Sequence, residues 1–185
     1  MVKPRYNRNE FIKILGLTFG NVLLIPACSS DVSNYRVFSN KEADCLIALC
    51  EQIIPADQDG GATEAQVIHF IDKQTALRFP HDLRTFRQGI ASLQTTCKAL
   101  YNKAFEQLEI PVQIEIMNKM EKNELALNYW QEVRQSSFFD LILNRTMQGF
   151  YGSPRHGGNK NYTSYKMLKL DYPIVIGQNR YRDEK

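Results

Sequence analysis

No Cys-x-x-Cys pair, His-Glu-x-x-His, Gly-x-Ser-x-Gly or Gly-x-Gly-x-x-Gly occurs in this chain. The first two absences remove the familiar signs of a thiol redox couple and a zinc peptidase. The third removes the nucleophile elbow of serine hydrolases. The fourth removes the turn that brings a backbone against a dinucleotide pyrophosphate. Cys-x-x-Cys-His, the covalent haem signal, is missing too. The three histidines, His69, His81 and His156, are scattered, and His69, beside Phe70, reads as a structural or surface side chain rather than a metal ligand. Net charge is also in short supply. Residues 1–27 hold Lys3, Arg5, Arg8 and Lys13 against Glu10, which accounts for the whole net charge of +3, so nineteen bases face nineteen acids in the remainder. That remainder has no bulk positive charge for nucleic acid or an anionic membrane. With 43% hydrophobic and 23% charged residues, 185 residues support one domain and a short leader.

No apolar run reaches the roughly 20 residues that a bilayer-spanning helix needs. The segment "ILGLTFGNVLLIPA", about fourteen residues, follows the positive stretch "MVKPRYNRNEFIK" and ends at Cys28, the layout of an export signal. Its end, "LIPAC", resembles the bacterial lipobox, an aliphatic residue and then a small one before a cysteine. The resemblance implies that Cys28 is acylated and becomes the new N-terminus, with "SSDVSNYR" as a tether, and that the acyl chains anchor the protein. "NRNEFIK" is also similar to the twin-arginine export motif: Arg8, Phe11, Ile12 and Lys13 match, and Asn9 replaces the second arginine. The general secretory route is the alternative. Residues 1–27 are thus expected as export signal, 28–37 as tether, 38–173 as the folded domain and 174–185 as a polar tail, in a periplasmic or cell-envelope protein lipid-anchored to a bacterial membrane.

The folded part reads as all-α, an irregular bundle of about five helices with a glycine-rich C-terminal loop region. Ser39 and Glu42 have capping-box spacing, Phe38 can staple the start, and Leu46, Ile47, Leu49, Cys50, Ile53 and Ile54 form an apolar face ended by Pro55. "ADQDGGA" is a turn. Thr63, with Gln66, is expected to cap a second helix through Val67, Ile68, Ile71 and Leu77. A third helix is expected from about Asp82 to Leu108 and a short fourth with Pro111 in its first turn. A last long helix should span residues 126–150 and bury Trp130, Val133, Phe138, Leu141, Ile142 and Met147. "YPIVIG" is the one β-like run. Cys45, Cys50 and Cys97 read as buried thiols; a bridge from Cys45 or Cys50 to Cys97 is the alternative.

The unusual stretch is "GFYGSPRHGGN". Gly149 can end the last helix, Gly152 permits a turn before Pro154, and Gly157-Gly158 permits close backbone approach. Phe150, Tyr151 and Arg155 are the residue types that anchor interfaces. Two readings stand: a self-packed loop covering the core, or a surface fitted to another protein. "HGGN" has no lysine and no strand–helix setting for phosphate. Tyr151 and His156 could exchange protons only with an organised partner and a pocket. Asp57 and Asp59 lack the further ligands of a calcium loop.

Three blocks, "FSNKEADCLIALCEQIIPAD", "GGATEAQVIHFID" and "FFDLILNRTMQGFYGSPRHGGN", resemble the gluconate 2-dehydrogenase subunit 3 family, from roughly Phe38 to Pro173. The last block is the most specific, with Gly-Phe-Tyr-Gly, Pro-Arg and Gly-Gly-Asn; Ser153 stands where an acid is common and His156 where an aromatic is. The resemblance implies a non-catalytic accessory subunit. Its partner would be an FAD-dependent dehydrogenase of the glucose–methanol–choline class acting on a sugar, polyol or sugar acid, often with a haem c cytochrome subunit. It implies no cofactor in this chain and a role in stability and export of the flavoprotein, while the residue pattern and charge balance give no expectation of a metal or of nucleic acid. The expected partner interface is Pro55, Asp57, Gly149, Phe150, Tyr151, Gly152, Pro154, Arg155, His156, Gly157, Gly158 and Asn159. The rival readings are a self-sufficient cell-surface sugar-modifying enzyme, using Tyr151, Arg155 and His156, and a stand-alone binding lipoprotein.

Overall fold

A computed structural model describes residues 33–170. The leader, Cys28, "YPIVIG" and the polar tail lie outside the described residues. Six α-helices, joined by turns and short 3-10 segments, make up the described part, and it contains no strand. They are α1 (Asn40–Ile53), α2 (Val67–Leu77), α3 (Asp82–Tyr101), α4 (Ile110–Glu121), α5 (Gln135–Tyr151) and α6 (Thr163–Met167). None of these helices is long and apolar enough to cross a membrane.

Helix α1 starts where its residue types require. Ser39 is extended, its hydroxyl accepts from the Glu42 amide at 3.3 Å, and the Glu42 carboxylate accepts from the Ser39 amide at 2.8 Å. Both orphan amides are thereby satisfied. Ala43, Cys45, Leu46, Leu49 and Cys50 face inward, and α1 touches α2, α3, α4 and α5. Phe38 does more than staple the start: it is 1% exposed and meets Phe86 of α3 edge to face at 5.4 Å. Phe86, Phe105, Phe138 and Phe150 are likewise fully buried. Each such ring contributes on the order of 2–3 kcal/mol by leaving water.

The segment before α1 is docked as well. Residues 35–37, expected within the tether, lie on α2: the amides of Arg36 and Val37 donate to the Asp72 carboxylate at 2.9–3.0 Å, and Tyr35 stacks on His69.

Helix boundaries differ from expectation at three places besides the end of α5. Helix α2 begins at Val67 behind Gln66, which has φ 54°, and Thr63 caps nothing in it. The Thr63 amide and hydroxyl donate instead to Glu51 of α1 at 3.1 and 2.6 Å. Helix α3 stops at Tyr101 because Asn102 turns left-handed, which frees Phe105 to enter the core from a 3-10 turn. Helix α5 begins at Gln135 rather than residue 126, and Leu127–Tyr129 forms a separate 3-10 turn. Trp130 still reaches the core and donates its indole N–H to Thr96 Oγ1 at 3.1 Å, the bond a buried indole needs. The Gln135 amide fixes the junction by bonding both the N–H and the C=O of Leu125 at 3.0 Å.

Among the described residues one ion pair is largely buried. The Arg145 guanidinium of α5 donates to Asp82 at the start of α3 at 2.6 and 3.0 Å, bonds Gln148, and lies 3.7 Å over the Phe79 ring. It joins α3 and α5. Leu77 and Met147, expected inside, are 62% and 41% exposed.

Candidate interaction face

Helix α5 does not end at Gly149. That residue is buried within the helix, where a Cβ would stand 3.0 Å from Val67 and 3.1 Å from Phe70 of α2. Its missing side chain sets how closely α2 and α5 approach. The helix stops after Tyr151, with Pro154 shortly beyond. Pro154–His156 forms a 3-10 turn, and Gly157, at φ 112°, reverses the chain against the His69 carbonyl. Gly158 then lies on the backbone of Gly149, leaving no room for a methyl group beside the Gly149 carbonyl.

Asn159 closes the loop. It is fully buried, its amide nitrogen donates to Gly152 O at 2.8 Å, and its side-chain oxygen accepts from Ser164 N at 2.9 Å. The Lys160 amide donates to Ala65 O at 3.0 Å. From α2, Lys73 Nζ donates to Arg155 O at 2.9 Å and Gln74 to His156 O at 3.3 Å. The stretch is therefore a cover packed onto α2 and α5. Gly149, Phe150, Gly158 and Asn159 are inside it, and Phe150 is 0% exposed. An outward contact can come only from the remainder: Tyr151 and Arg155 are exposed, and Gly152, Pro154, His156 and Gly157 are partly so.

The second expected segment is an exposed turn. Pro55 and Asp57 face solvent, Asp57 Oδ1 accepts from Asp59 N at 2.8 Å, and the Gly60 amide donates to Asp57 O. Gly60 of this turn sits where a Cβ would be 3.3 Å from Thr163 at the start of α6, beyond the covering loop. Asp57 and Asp59 gather no further ligand, and no group of three or more His, Cys, Asp or Glu among the described residues could hold a metal ion.

Lys73, Gln74 and Arg78 of α2 and its end were not among the sequence candidates, and their roles depend on the loop returning onto that helix. Arg155 Nε donates to His156 Nε2 at 3.1 Å, which requires the neutral ring. Partial burial, then the charges of Arg155, Lys73 and Arg78, hold the His156 pKa below 6.5. The cysteines stand apart from this face. Cys45, Cys50 and Cys97 are free and buried, burial pushes Cys50 and Cys97 up to about 12, and Cys45 is also raised. A hollow of about 310 Å³ between Leu127 and the start of α5, lined by Asn123, Leu127, Trp130 and Arg134 among others, contains none of the candidate residues.

The family model for gluconate 2-dehydrogenase subunit 3 matches residues 40–171. The chain belongs to that family. The match runs from the first residue of α1 past the end of α6 and includes the whole covering loop. No curated protein and no solved structure matches the chain. Membership in the gluconate 2-dehydrogenase subunit 3 family implies a small subunit of that oxidoreductase complex and partnership with its other subunits.

Proposed function

We propose that this chain is the non-catalytic small subunit of an extracytoplasmic, FAD-dependent dehydrogenase oxidising gluconate, another sugar acid, a sugar or a polyol. The observation that carries the reading is the family match over residues 40–171, which takes in every described helix. The flavin, and a haem c where a cytochrome is present, belong to the other subunits. This chain stabilises the flavoprotein through the face around Tyr151, Pro154, Arg155 and His156 and carries it outward. A subunit loaded with FAD before export must cross folded, bound to a chain that bears the signal, and residues 1–27 resemble such a signal. Acylated Cys28 then holds the complex at the membrane.

The test is co-purification of a tagged full-length chain from membranes under mild detergent. A stoichiometric flavoprotein with bound FAD is expected, and sugar-acid or polyol oxidation should follow the complex. Recovery of the chain alone sinks the reading. Tyr151→Ala with Arg155→Ala should release the partner while the helical circular dichroism is retained. Cys28→Ser should move the complex from the membrane to the soluble fraction.

A further inference from the structure

The outer rim of the covering loop gathers positive charge from two separate elements. Lys73 extends from α2 to the Arg155 carbonyl, which places its ammonium at the rim. Arg155 is exposed and uses Nε for His156; its Nη1 and Nη2 have no hydrogen-bond partner among the described residues. Arg78, one helical turn beyond Gln74, contributes a third cation whose field reaches His156. No carboxylate of the described residues pairs with any of the three.

This arrangement is out of balance with the rest of the chain beyond residue 27, in which, these three cations set aside, nineteen acids face sixteen bases. Like charges held together by a fold repel one another, and an anion brought between them removes that repulsion. The surroundings indicate which anion. Met147 and Tyr151 lie one turn apart on the exposed side of α5, at 41% and 38% exposure, and lead directly to Pro154 and Arg155. Aromatic, methionine and arginine side chains side by side are the composition of a protein interface core. A free phosphate or a lipid headgroup would satisfy the cations and leave Tyr151 and Met147 uncovered.

We propose that an acidic segment of the partner dehydrogenase subunit docks here, with one carboxylate in the fork of Arg155 and beside Lys73 and Arg78, and its flank over Tyr151 and Met147. Planar guanidinium and carboxylate match in two parallel hydrogen bonds, which fixes register as well as attraction. The proposal rests on the small-subunit reading above and adds the chemistry by which the partner is recognised.

The experiment uses the full-length chain and the flavoprotein subunit recovered with it, separated and re-bound at low and high salt. Arg155→Glu should weaken binding by about 30-fold or more and Arg155→Gln by about 10-fold, with Arg78→Glu in between, and each should flatten the salt dependence. These side chains are exposed, so melting temperatures should stay at the wild-type value. An Asp or Glu to Arg change on the partner that restores binding to the Arg155→Glu chain would establish the pairing. Unchanged affinity of both charge-reversed variants overturns this proposal and leaves the small-subunit reading intact. Failure of the wild-type chain to recover any flavoprotein overturns that reading and this proposal with it. Binding of the wild-type chain to phosphatidylglycerol vesicles that Arg155→Glu abolishes, while flavoprotein affinity is unchanged, overturns it in favour of a lipid ligand.

Discussion

The helical body and the covering loop are held together by different forces. In the body, Phe38, Phe86, Phe138 and Ile142 pack apolar surface against apolar surface, and any side chain of similar volume and polarity comes close to serving. In the loop, the ties are backbone groups met by particular atoms: Asn159 on Gly152 O and Ser164 N, Lys73 on Arg155 O, Gln74 on His156 O, and Gly158 flat on Gly149. Few residues can replace a glycine at φ 112° or an amide that both donates and accepts. The body tolerates variation in residue identity, and the loop depends on it. Such ties are how a small domain keeps an exposed arginine and tyrosine in fixed positions without apolar surface to spare.

The contrast can be broken at either end. Phe138→Ala, which empties the space against Gly89 and Trp130, should cost about 3–5 kcal/mol in chemical denaturation and lower the stability of body and loop together. Gly158→Ala should cost less, about 1–3 kcal/mol from overpacking against Gly149. Its main effect should be local: faster amide exchange at Gly152, Lys160 and Ser164 with the α1 and α3 amides still protected. Equal loss in both regions would show that the loop is part of the core after all.

Two smaller effects sharpen the comparison. His156 should titrate below 6.5 by NMR, and Arg155→Ala should move it upward. Because the folded pKa is the lower one, this group's contribution to stability is complete above pH 6.5. It is lost as pH falls from there through the folded value, where the unfolded chain takes up the proton more readily. A His156 pKa at or above 6.5 would mean that burial and the neighbouring cations do not act on the ring. The smallest effect belongs to the body: Cys45, Cys50 and Cys97, buried and raised in pKa, should not react with a thiol reagent at pH 8 until the protein unfolds. Rapid labelling of the native state would mean that the core opens locally.

Much of the fold was legible from residue pattern. The Ser39–Glu42 box, the stop before Pro55, Pro111 at the start of α4 and the all-helical class all follow from short-range rules. The misread boundaries have separate causes. Trp130 and Phe138 are spaced so that a continuous helix would place both on one face, so periodicity could not reveal that the chain bends between them. Thr63 and Gln66 have the spacing of a cap, but Glu51, twelve residues earlier, takes the Thr63 donors. Gly149 looked like a terminator because glycine commonly ends helices; here it admits Phe70 and Val67 instead. At the candidate face, Tyr151, Pro154, Arg155 and His156 could be picked out by residue type. Phe150 could not be told from them, since an aromatic ring suits a core as well as an interface.

Local rules act over a few residues, and so composition and spacing alone were sufficient for the helical class, the cap of α1 and the breaks at proline. Which glycine touches which backbone, which aromatic turns inward, and which cations of α2 join Arg155 are settled by packing across the fold, as where Lys73 and Gln74 meet carbonyls 82 residues further along the chain. Those contacts exist only once α2 and α5 have packed and the loop has closed over them, because only then is burial decided for each side chain.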